Sequence, residues 1–196
     1  MDNTKIRIIK AACKAVRQYG LDGVRIQNIS ELAGLSPGAL YRYFDSKETL
    51  LETCFTDIDN RVMELLAQME IDSEKLRADP EGSVRKMWIP FFRFWTSRPD
   101  ETVFYYNYRN TPGFRTVDRK YDASCFEAWE KIIAQFKEAF PGLRKFNHTV
   151  LCIHMLSATV MYAKCVAEKI LPDNEQTEDE VFCLLMSGLA GCMRTE

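Results

Sequence analysis

The chain has 196 residues, of which 46% are hydrophobic and 28% are charged, and its formal net charge is −2. These values are typical of a globular protein and exclude a chain that is basic throughout. Residues 1–48 nevertheless hold eight Lys or Arg against five Asp or Glu, a local charge of +3 that leaves −5 for the remainder. A basic segment on an acidic body indicates a polyanionic partner at the N-terminal end.

The cysteine content and the lack of a leader predict a cytoplasmic location. The N-terminus is charged and has no long apolar run, so no signal peptide is predicted. The longest uncharged run, residues 146–163, contains Asn, His, Ser and Thr, so it is not predicted to span a membrane. Seven cysteines without close paired spacing predict reduced thiols.

The N-terminal third of the chain has the pattern of a helix-turn-helix. A first helix is predicted over residues 5–19, ending at Gly20, and a short second helix over about residues 26–33, ending at Gly34. A third short helix is predicted to begin after Ser36, because serine is a favoured N-cap, and to continue to Phe44. Two short helices joined by a glycine-containing turn match the motif, with the third helix as the recognition helix.

The rest of the chain also reads as helical, with no strand-like alternation. Residues 71–81 are predicted to be a polar connector, and Pro90 to kink its helix or to mark a later start. The sequence predicts an all-α protein of about nine helices, in which residues 1–48 form a DNA-binding domain and residues 49–196 a second helical domain. Further helices are predicted over about residues 46–70, 83–97, 116–140, 145–170 and 181–193, with a short aromatic segment over residues 102–109.

The last two predicted helices are apolar on nearly every side. Residues 150–166 and 181–193 carry this character, and Gly188 and Ala190 permit a close approach between helices. A helix of this kind must be covered on every face. We therefore expect a homodimer built as a four-helix bundle from the two C-terminal helices, the alternative being a central core helix of a monomer.

Residues 26–50 carry a family resemblance. They read I-Q-N-I-S-E-L-A-G-L-S-P-G-A-L-Y-R-Y-F-D-S-K-E-T-L, which closely resembles the N-terminal domain of TetR-type transcriptional regulators. The resemblance covers about residues 5–50, and the remaining part matches only in length, helical character and apolar final helices. It implies a TetR-like fold in which residues 49–196 bind a ligand and form the dimer.

The resemblance also implies which residues contact double-stranded DNA. Small side chains at the start of the third helix would let it approach the bases, and Tyr and Arg residues after them would contact bases or phosphates. Arg25 stands where the family usually has Thr or Ser; arginine can bind a phosphate but cannot cap the helix. The implied contacts are Arg25, Gln27, Ser36, Pro37, Gly38, Ala39, Tyr41, Arg42, Tyr43 and Lys47.

A cluster of aromatic residues indicates a cavity in the second domain. Ten aromatic residues lie between residues 88 and 114, more than a core at this place needs. Plain core packing is the alternative for any one of them, whereas an aromatic-lined site for a small molecule explains the group. The candidate ligand-binding residues are Phe91, Trp95, Tyr105, Tyr108 and Trp129.

Other functions have less support in the sequence. His148 and Cys152 are four residues apart and could form half of a metal site, but no further ligands have convincing spacing. Most cysteines lie on apolar helix faces, which disfavours redox sensing. Two histidines and no recognisable catalytic motif predict that the protein is not an enzyme and needs no cofactor.

The sequence therefore predicts a cytoplasmic, homodimeric transcriptional regulator. We expect a repressor that a small apolar or aromatic effector releases from a palindromic operator. The alternative is a helical small-molecule-binding or redox/metal-sensing module without repressor activity.

Overall fold

The computed structural model of the chain describes residues 3–69, 71–112, 114 and 124–193, apart from the side chains of residues 124–129, 148, 152 and 191–193. Within these ranges the chain forms ten α-helices and one 3-10 helix, and no strand. The predicted all-α fold is confirmed. The contacts divide the chain into two compact units, the first from Met1–Val62 with Arg98–Asp122 and the second from Met63–Ser97 with Ala123–Glu196.

The first unit contains the predicted helix-turn-helix. Its apolar core is formed by residues one or two turns apart on the long helices, such as Ile8, Val16 and Leu50. The helices are α1 (Asn3–Gly23, interrupted at Gly20), α2 (Ile26–Ala33), α3 (Pro37–Leu40), the N-terminal part of α4 (Lys47–Ala67) and α7 (Pro99–Tyr108).

Two glycines end helices in the first unit, as the sequence predicts. Gly20 has φ 72° and ψ 167°, and it separates the main part of α1 from its last turn. Gly34 is left-handed (φ 63°, ψ 41°), and its N–H bonds to the carbonyl groups of Ser30 and Glu31. Both values of φ are unfavourable for residues with a Cβ, so these glycines set the directions in which α2 and α3 leave.

Helix α7 belongs to the first unit, which therefore extends beyond residues 1–48. It packs on α1, where Arg17 pairs with Asp100 (2.9 Å). Tyr105 donates a hydrogen bond to the buried carboxylate of Asp59 (2.7 Å) and stacks on Phe55 (5.1 Å between ring centroids). A segment distant in sequence thus completes the core of the N-terminal unit.

The second unit is built around α6, which packs against α5, α9 and α10. Trp88 on α6 stacks on Phe92 and donates a hydrogen bond to Thr159 on α9 (2.9 Å), and Arg93 forms a two-point ion pair with Glu178 on α10 (2.8 and 2.9 Å). The helices are α5 (Ser73–Ala78), α6 (Pro80–Thr96), α8 (Ser124–Ala139), a 3-10 helix (Pro141–Lys145), α9 (His148–Cys152, a π-helical turn Ile153–Ser157, then Ala158–Ala167) and α10 (Glu175–Met193).

Three predicted boundaries in this unit are wrong. The predicted connector contains α5, because Asp72 caps a short helix that lacks an apolar period, accepting bonds from the N–H groups of Glu74 and Lys75 (3.1 Å each). Helix α6 begins at Pro80 rather than at about Ser83, since Asp79 caps it, and it runs through Pro90. The predicted helix over residues 145–170 is instead divided by a π-helical turn and ends at Ala167.

Other boundaries differ less. Helix α3 ends at Leu40 rather than at Phe44, because the chain continues from there as a turn, in which the N–H of Tyr43 bonds to the carbonyl oxygen of Leu40 (2.9 Å). Helix α10 begins at Glu175, before the predicted residue 181, because Asn174 accepts a bond from the N–H of Thr177 (2.9 Å). The predicted helix over residues 116–140 corresponds to α8, and its first eight predicted residues lie outside the described ranges.

Helices α9 and α10 leave large apolar side chains exposed. Ile153 is 58% exposed and Leu184 is 62% exposed, and Val150 and Met161 are also exposed. The stretch Thr149–Ala167 is long and apolar enough to cross a membrane by length and composition, with a mean hydropathy of 1.6. A helix at a protein interface has the same composition, and this one packs on α6.

Candidate functional site

Local hydrogen bonds define the start of α3. Ser36 is its N-cap, and its hydroxyl oxygen accepts a bond from the N–H of Ala39 (3.2 Å). Pro37 occupies the first helical position, where a missing N–H costs nothing. Ser36, Pro37 and Gly38 are exposed, and a Cβ added to Gly38 would meet no atom within 4 Å. The protein's own packing therefore does not require glycine at residue 38.

The residues after this start divide between the core and the surface. Leu40 and Phe44, four residues apart, are buried. Tyr41, Arg42 and Tyr43 between them are exposed, and Tyr41 is 51% exposed. Within the described part of the chain, these three side chains make no hydrogen bond or ion pair. Two phenol hydroxyls and a guanidinium are thus available to a partner.

The start of α2 presents a second cationic side chain. Arg25 is the exposed N-cap of α2 and provides no side-chain cap, as its chemistry requires. Asn28 compensates, since its side-chain oxygen accepts a bond from the N–H of Arg25 (3.0 Å). Gln27, in the first turn of α2, is exposed. The role of Asn28 was not predicted; an acceptor three residues after the cap position was the available signal.

Lys47 connects the starts of two helices. It is the first residue of α4, and its Nζ donates a hydrogen bond to the carbonyl oxygen of Val24 (3.3 Å), next to Arg25. Ser46 caps α4 by accepting a bond from the N–H of Thr49 (3.0 Å). An ammonium group has three donors, so the bond to Val24 leaves two for an anion. The structure thus brings Lys47 close to Arg25.

A further cation lies beside α3 and was not predicted. The Nζ atom of Lys5 lies 5.3 Å from the centre of the Phe44 ring. A cation over an aromatic face is attracted by the ring, by about 0.5–1 kcal/mol at an exposed site. Four basic residues, Lys5, Arg25, Arg42 and Lys47, therefore surround the α2–α3 region of the first unit.

The second unit contains an apolar cavity. The space between its side chains is about 710 Å³, counted to its opening to solvent. Among the described residues of its lining, the only polar side-chain nitrogen or oxygen is Nε1 of Trp88, which donates to Thr159. The side chains that line this apolar cavity are Leu66, Met69, Val84, Met87, Trp88, Phe91, Ile132, Ile133, Phe136, Leu143, Leu151, Met155 and Leu189.

The five predicted ligand-binding residues have different positions. Phe91 lines the apolar cavity, whereas Trp95, also on α6, is completely buried outside its lining. Tyr105 and Tyr108 belong to the core of the first unit, where both stack on Phe55. The side chain of Trp129 lies outside the described residues. Of the four residues whose side chains the structure describes, Phe91 alone lines this cavity, because α7, which carries both tyrosines, packs on α1.

Burial changes the chemistry of the two tyrosines. Burial and the nearby charge of Asp59 raise the pKa of Tyr105, and burial raises the pKa of Tyr108 to about 12. Both hydroxyls therefore stay protonated at neutral pH. Their arrangement suits internal packing in the first unit.

The alternatives from the sequence gain little from the geometry. Over the described residues, no group of three or more His, Cys, Asp or Glu side chains could hold a metal ion. The side chains of His148 and Cys152 lie outside those residues. A hydrogen bond to Cys54 and burial raise the pKa of Cys13 well above its usual value, so little of this thiol is the reactive thiolate at neutral pH.

Part of the chain is similar in sequence to known regulatory proteins. Residues 8–54 match the sequence model of the family described as bacterial regulatory proteins, tetR family. The chain is 31% identical over 99 residues to the transcriptional repressor NicS of Pseudomonas putida, covering 50% of this chain and 45% of NicS. It is 30% identical over 89 residues to the regulator TtgR of the same species, covering 45% and 41%. Each match spans less than half of the relative.

The fold is similar over nearly the whole chain. The structure of a TetR family transcription regulator from Marinobacter aquaeolei VT8 matches with a TM-score of 0.70, at 21% identity, and the match covers 95% of both chains. The chain thus matches the tetR family sequence model in its helix-turn-helix region, and over nearly its whole length it has the fold of that TetR family regulator.

Proposed function

We propose that this protein is a homodimeric transcriptional repressor that binds a palindromic DNA operator and is released by a small apolar effector. The observation that carries the proposal is the exposure of Tyr41, Arg42 and Tyr43 in the turn after α3, between the buried Leu40 and Phe44. Three adjacent side chains with hydrogen-bonding groups and no partner in the described chain are suited to an external surface rich in acceptors.

The chemistry of each side chain suggests its role on DNA. Arg42 can form two hydrogen bonds to one guanine in the major groove. Gly38 allows the backbone of α3 to approach the bases. Arg25 and Lys47, close together at the starts of α2 and α4, can neutralise backbone phosphates. The relatives NicS and TtgR carry the names of DNA-binding regulators, which supports the same class of activity here.

The exposed apolar face of α9 and α10 supports a two-fold dimer. Val150, Ile153 and Leu184 would each lose contact with water on association, and this burial is the main driving force for assembly. A two-fold axis would place two recognition helices on half-sites about 34–36 Å apart, or a multiple of this distance. A palindromic operator follows from that symmetry.

The apolar cavity of the second unit supports control by an effector. Its lining of hydrophobic and aromatic side chains is typical of small-molecule sites. We expect two states of the dimer, in which the spacing of the recognition helices either fits or does not fit the operator. An effector would reduce DNA binding only to the extent that it binds the second state more tightly than the first.

The test of DNA binding is selection from a pool of random duplexes. We expect the parent protein to enrich a palindrome and Arg42→Ala to bind it more weakly by about 1–3 kcal/mol, with relaxed preference at one base pair in each half-site. The control is thermal unfolding, which Arg42→Ala should leave unchanged because the side chain is exposed. Equal affinity and equal sequence preference in both proteins would contradict the proposal.

The dimer is tested by a charge in its proposed interface. We expect Ile153→Glu and Leu184→Glu to lower the mass measured by sedimentation from that of a dimer to that of a monomer, and Lys131→Glu, at an exposed polar position on α8, to keep the dimer. Met155 and Gly188, on the same two helices, are unsuitable for this test, since Met155 lines the cavity and Gly188 packs on His154. A dimeric mass for both interface variants would exclude this face.

A second candidate function follows from the cavity alone. The chain would then be a helical small-molecule-binding module without repressor activity. It would bind an effector, and the selection from random duplexes would enrich no sequence.

A further inference from the structure

We infer that the effector is a single-chain amphiphile whose aliphatic chain fills the apolar cavity and whose anionic head group binds Lys86. The inference rests on the proposed function of the cavity as the effector site. It adds the chemical class of the ligand and a residue that recognises its charge.

The interior of the cavity can accept only an apolar group. Thr159 satisfies the indole N–H of Trp88, so the lining side chains that the structure describes leave no donor or acceptor inside. A ligand hydroxyl or carboxylate placed there would lose its hydration without a replacement partner. The part of the effector that enters the cavity must therefore be hydrocarbon.

A groove with basic residues shares two walls with the cavity. Met69 and Met87 line both spaces, and the groove adds polar side chains that include Lys75, Lys86 and Ser83. We call this space the basic groove. Methionine side chains are unbranched and adaptable, so a chain could pass between them. A ligand too polar at one end for the cavity would keep that end in the basic groove.

Lys86 is the cation that this groove leaves available. The carboxylate of Asp72 accepts bonds from the start of α5 and pairs with Lys75 (3.0 Å), so these two charges compensate one another. Lys86 is exposed and forms no ion pair within the described residues. It also lines an adjoining groove, in which Asp79 is engaged in capping α6 and Arg85 pairs with Asp179.

Charge and apolar volume together define the ligand class. A neutral hydrocarbon would use the cavity but not Lys86, and a small anion would use Lys86 but not the cavity. An aliphatic chain with an anionic head uses both. A cationic amphiphile would be repelled by Lys86 at the same groove.

The test compares three probes of equal chain length on the intact protein: dodecanoate, dodecanol and dodecylammonium. Calorimetric titration should give dodecanoate a Kd about fivefold lower than dodecanol, as expected for one partly exposed ion pair, and dodecylammonium the highest Kd. Raising the salt concentration should reduce the preference for dodecanoate and leave dodecanol unchanged.

Two variants test whether Lys86 binds the head group. Lys86→Gln should weaken dodecanoate to the affinity of dodecanol without changing dodecanol, whereas Lys131→Gln, an exposed lysine outside both spaces, should keep the preference. If the parent binds both probes equally, or if Lys86→Gln keeps the preference, this inference fails while the proposed effector site stands. If neither dodecanoate nor dodecanol binds, the proposed effector site itself fails.

Discussion

The Nζ atom of Lys47 donates a hydrogen bond to the carbonyl oxygen of Val24, 3.3 Å away, and so joins the start of α4 to the residue before the N-cap of α2. The same residue is a predicted phosphate contact. The bond positions the ammonium group between the two helix starts and leaves two of its donors unused. The structural role of Lys47 is therefore compatible with the proposed phosphate contact.

This double role predicts two separable effects of Lys47→Ala. The free energy of unfolding should fall by about 0.5–1.5 kcal/mol, because the bond to Val24 is lost. Binding to all DNA sequences should weaken, and the slope of log K against log salt should decrease by about 0.9 per protomer. Urea unfolding and DNA titrations at several salt concentrations measure the two. Lys47→Arg, which keeps the charge, should preserve the slope; an unchanged slope in Lys47→Ala would exclude a phosphate contact.

The variant Gly38→Ala tests whether the proposed contact between α3 and DNA requires glycine at residue 38. A Cβ at residue 38 meets no atom of the protein within 4 Å, so we expect unchanged or slightly higher stability, by up to about 1 kcal/mol. On an operator the methyl group would separate α3 from the bases, and we expect affinity to fall about tenfold. Thermal unfolding and operator titration provide the two measurements. Full operator affinity in Gly38→Ala would mean that α3 does not approach the bases at this residue.

Gly188 differs from Gly38, because the protein's own packing leaves no room for a side chain at residue 188. A Cβ there would lie 2.9 Å from Cε1 of His154, whose Nε2 donates to the carbonyl oxygen of Leu185 (2.8 Å). We expect Gly188→Ala to displace this ring and lose the hydrogen bond. The loss opposes the gain of about 0.5–1 kcal/mol from placing alanine in a helix.

A double-mutant cycle separates these two contributions. In the His154→Ala background the clash is gone, so Gly188→Ala should stabilise the protein by about 0.5–1 kcal/mol. In the parent background it should be neutral or destabilising, which gives a coupling energy of about 1 kcal/mol. Chemical unfolding of the four proteins measures it. The same effect of Gly188→Ala in both backgrounds would show that His154 and Gly188 do not interact.

The buried tyrosines of α7 predict a loss of stability at alkaline pH. In the folded protein the pKa of Tyr105 is raised and that of Tyr108 is about 12, whereas unfolded tyrosines titrate near ~10. The native state thus binds more protons, so this stability is fully present below pH ~10 and is lost as the pH rises toward about 12. Unfolding measured between neutral and alkaline pH tests the prediction.

The matched variants are phenylalanine substitutions. Tyr105→Phe with Tyr108→Phe should make the alkaline decline less steep, and Tyr19→Phe, at an exposed tyrosine, should leave it unchanged. At neutral pH, Tyr105→Phe alone should cost about 1–3 kcal/mol, because the buried carboxylate of Asp59 loses its donor. An identical decline in the double variant and the parent would assign the alkaline sensitivity to other groups.

The helix-turn-helix was predictable because its determinants are local. The cap at Ser36, the left-handed Gly34 and the buried pair of Leu40 and Phe44 act within a few residues of one another. Each is visible as a residue type at a fixed spacing. The short helix α5 was missed because it has no apolar period, although its cap at Asp72 is local.

By itself, then, the sequence determined the all-α class, the starts of α2, α3 and α4 and the exposed residues that follow α3, since backbone capping and helical periodicity depend on near neighbours. Only the tertiary structure decided that Tyr105 and Tyr108 join the core of the first unit while Phe91 lines the apolar cavity. The side that an aromatic residue faces depends on which distant helix packs against it, and spacing along the chain does not contain that information. The hydrogen bond from Lys47 to the carbonyl oxygen of Val24 also joins residues that are distant in sequence, so it too depended on the tertiary structure.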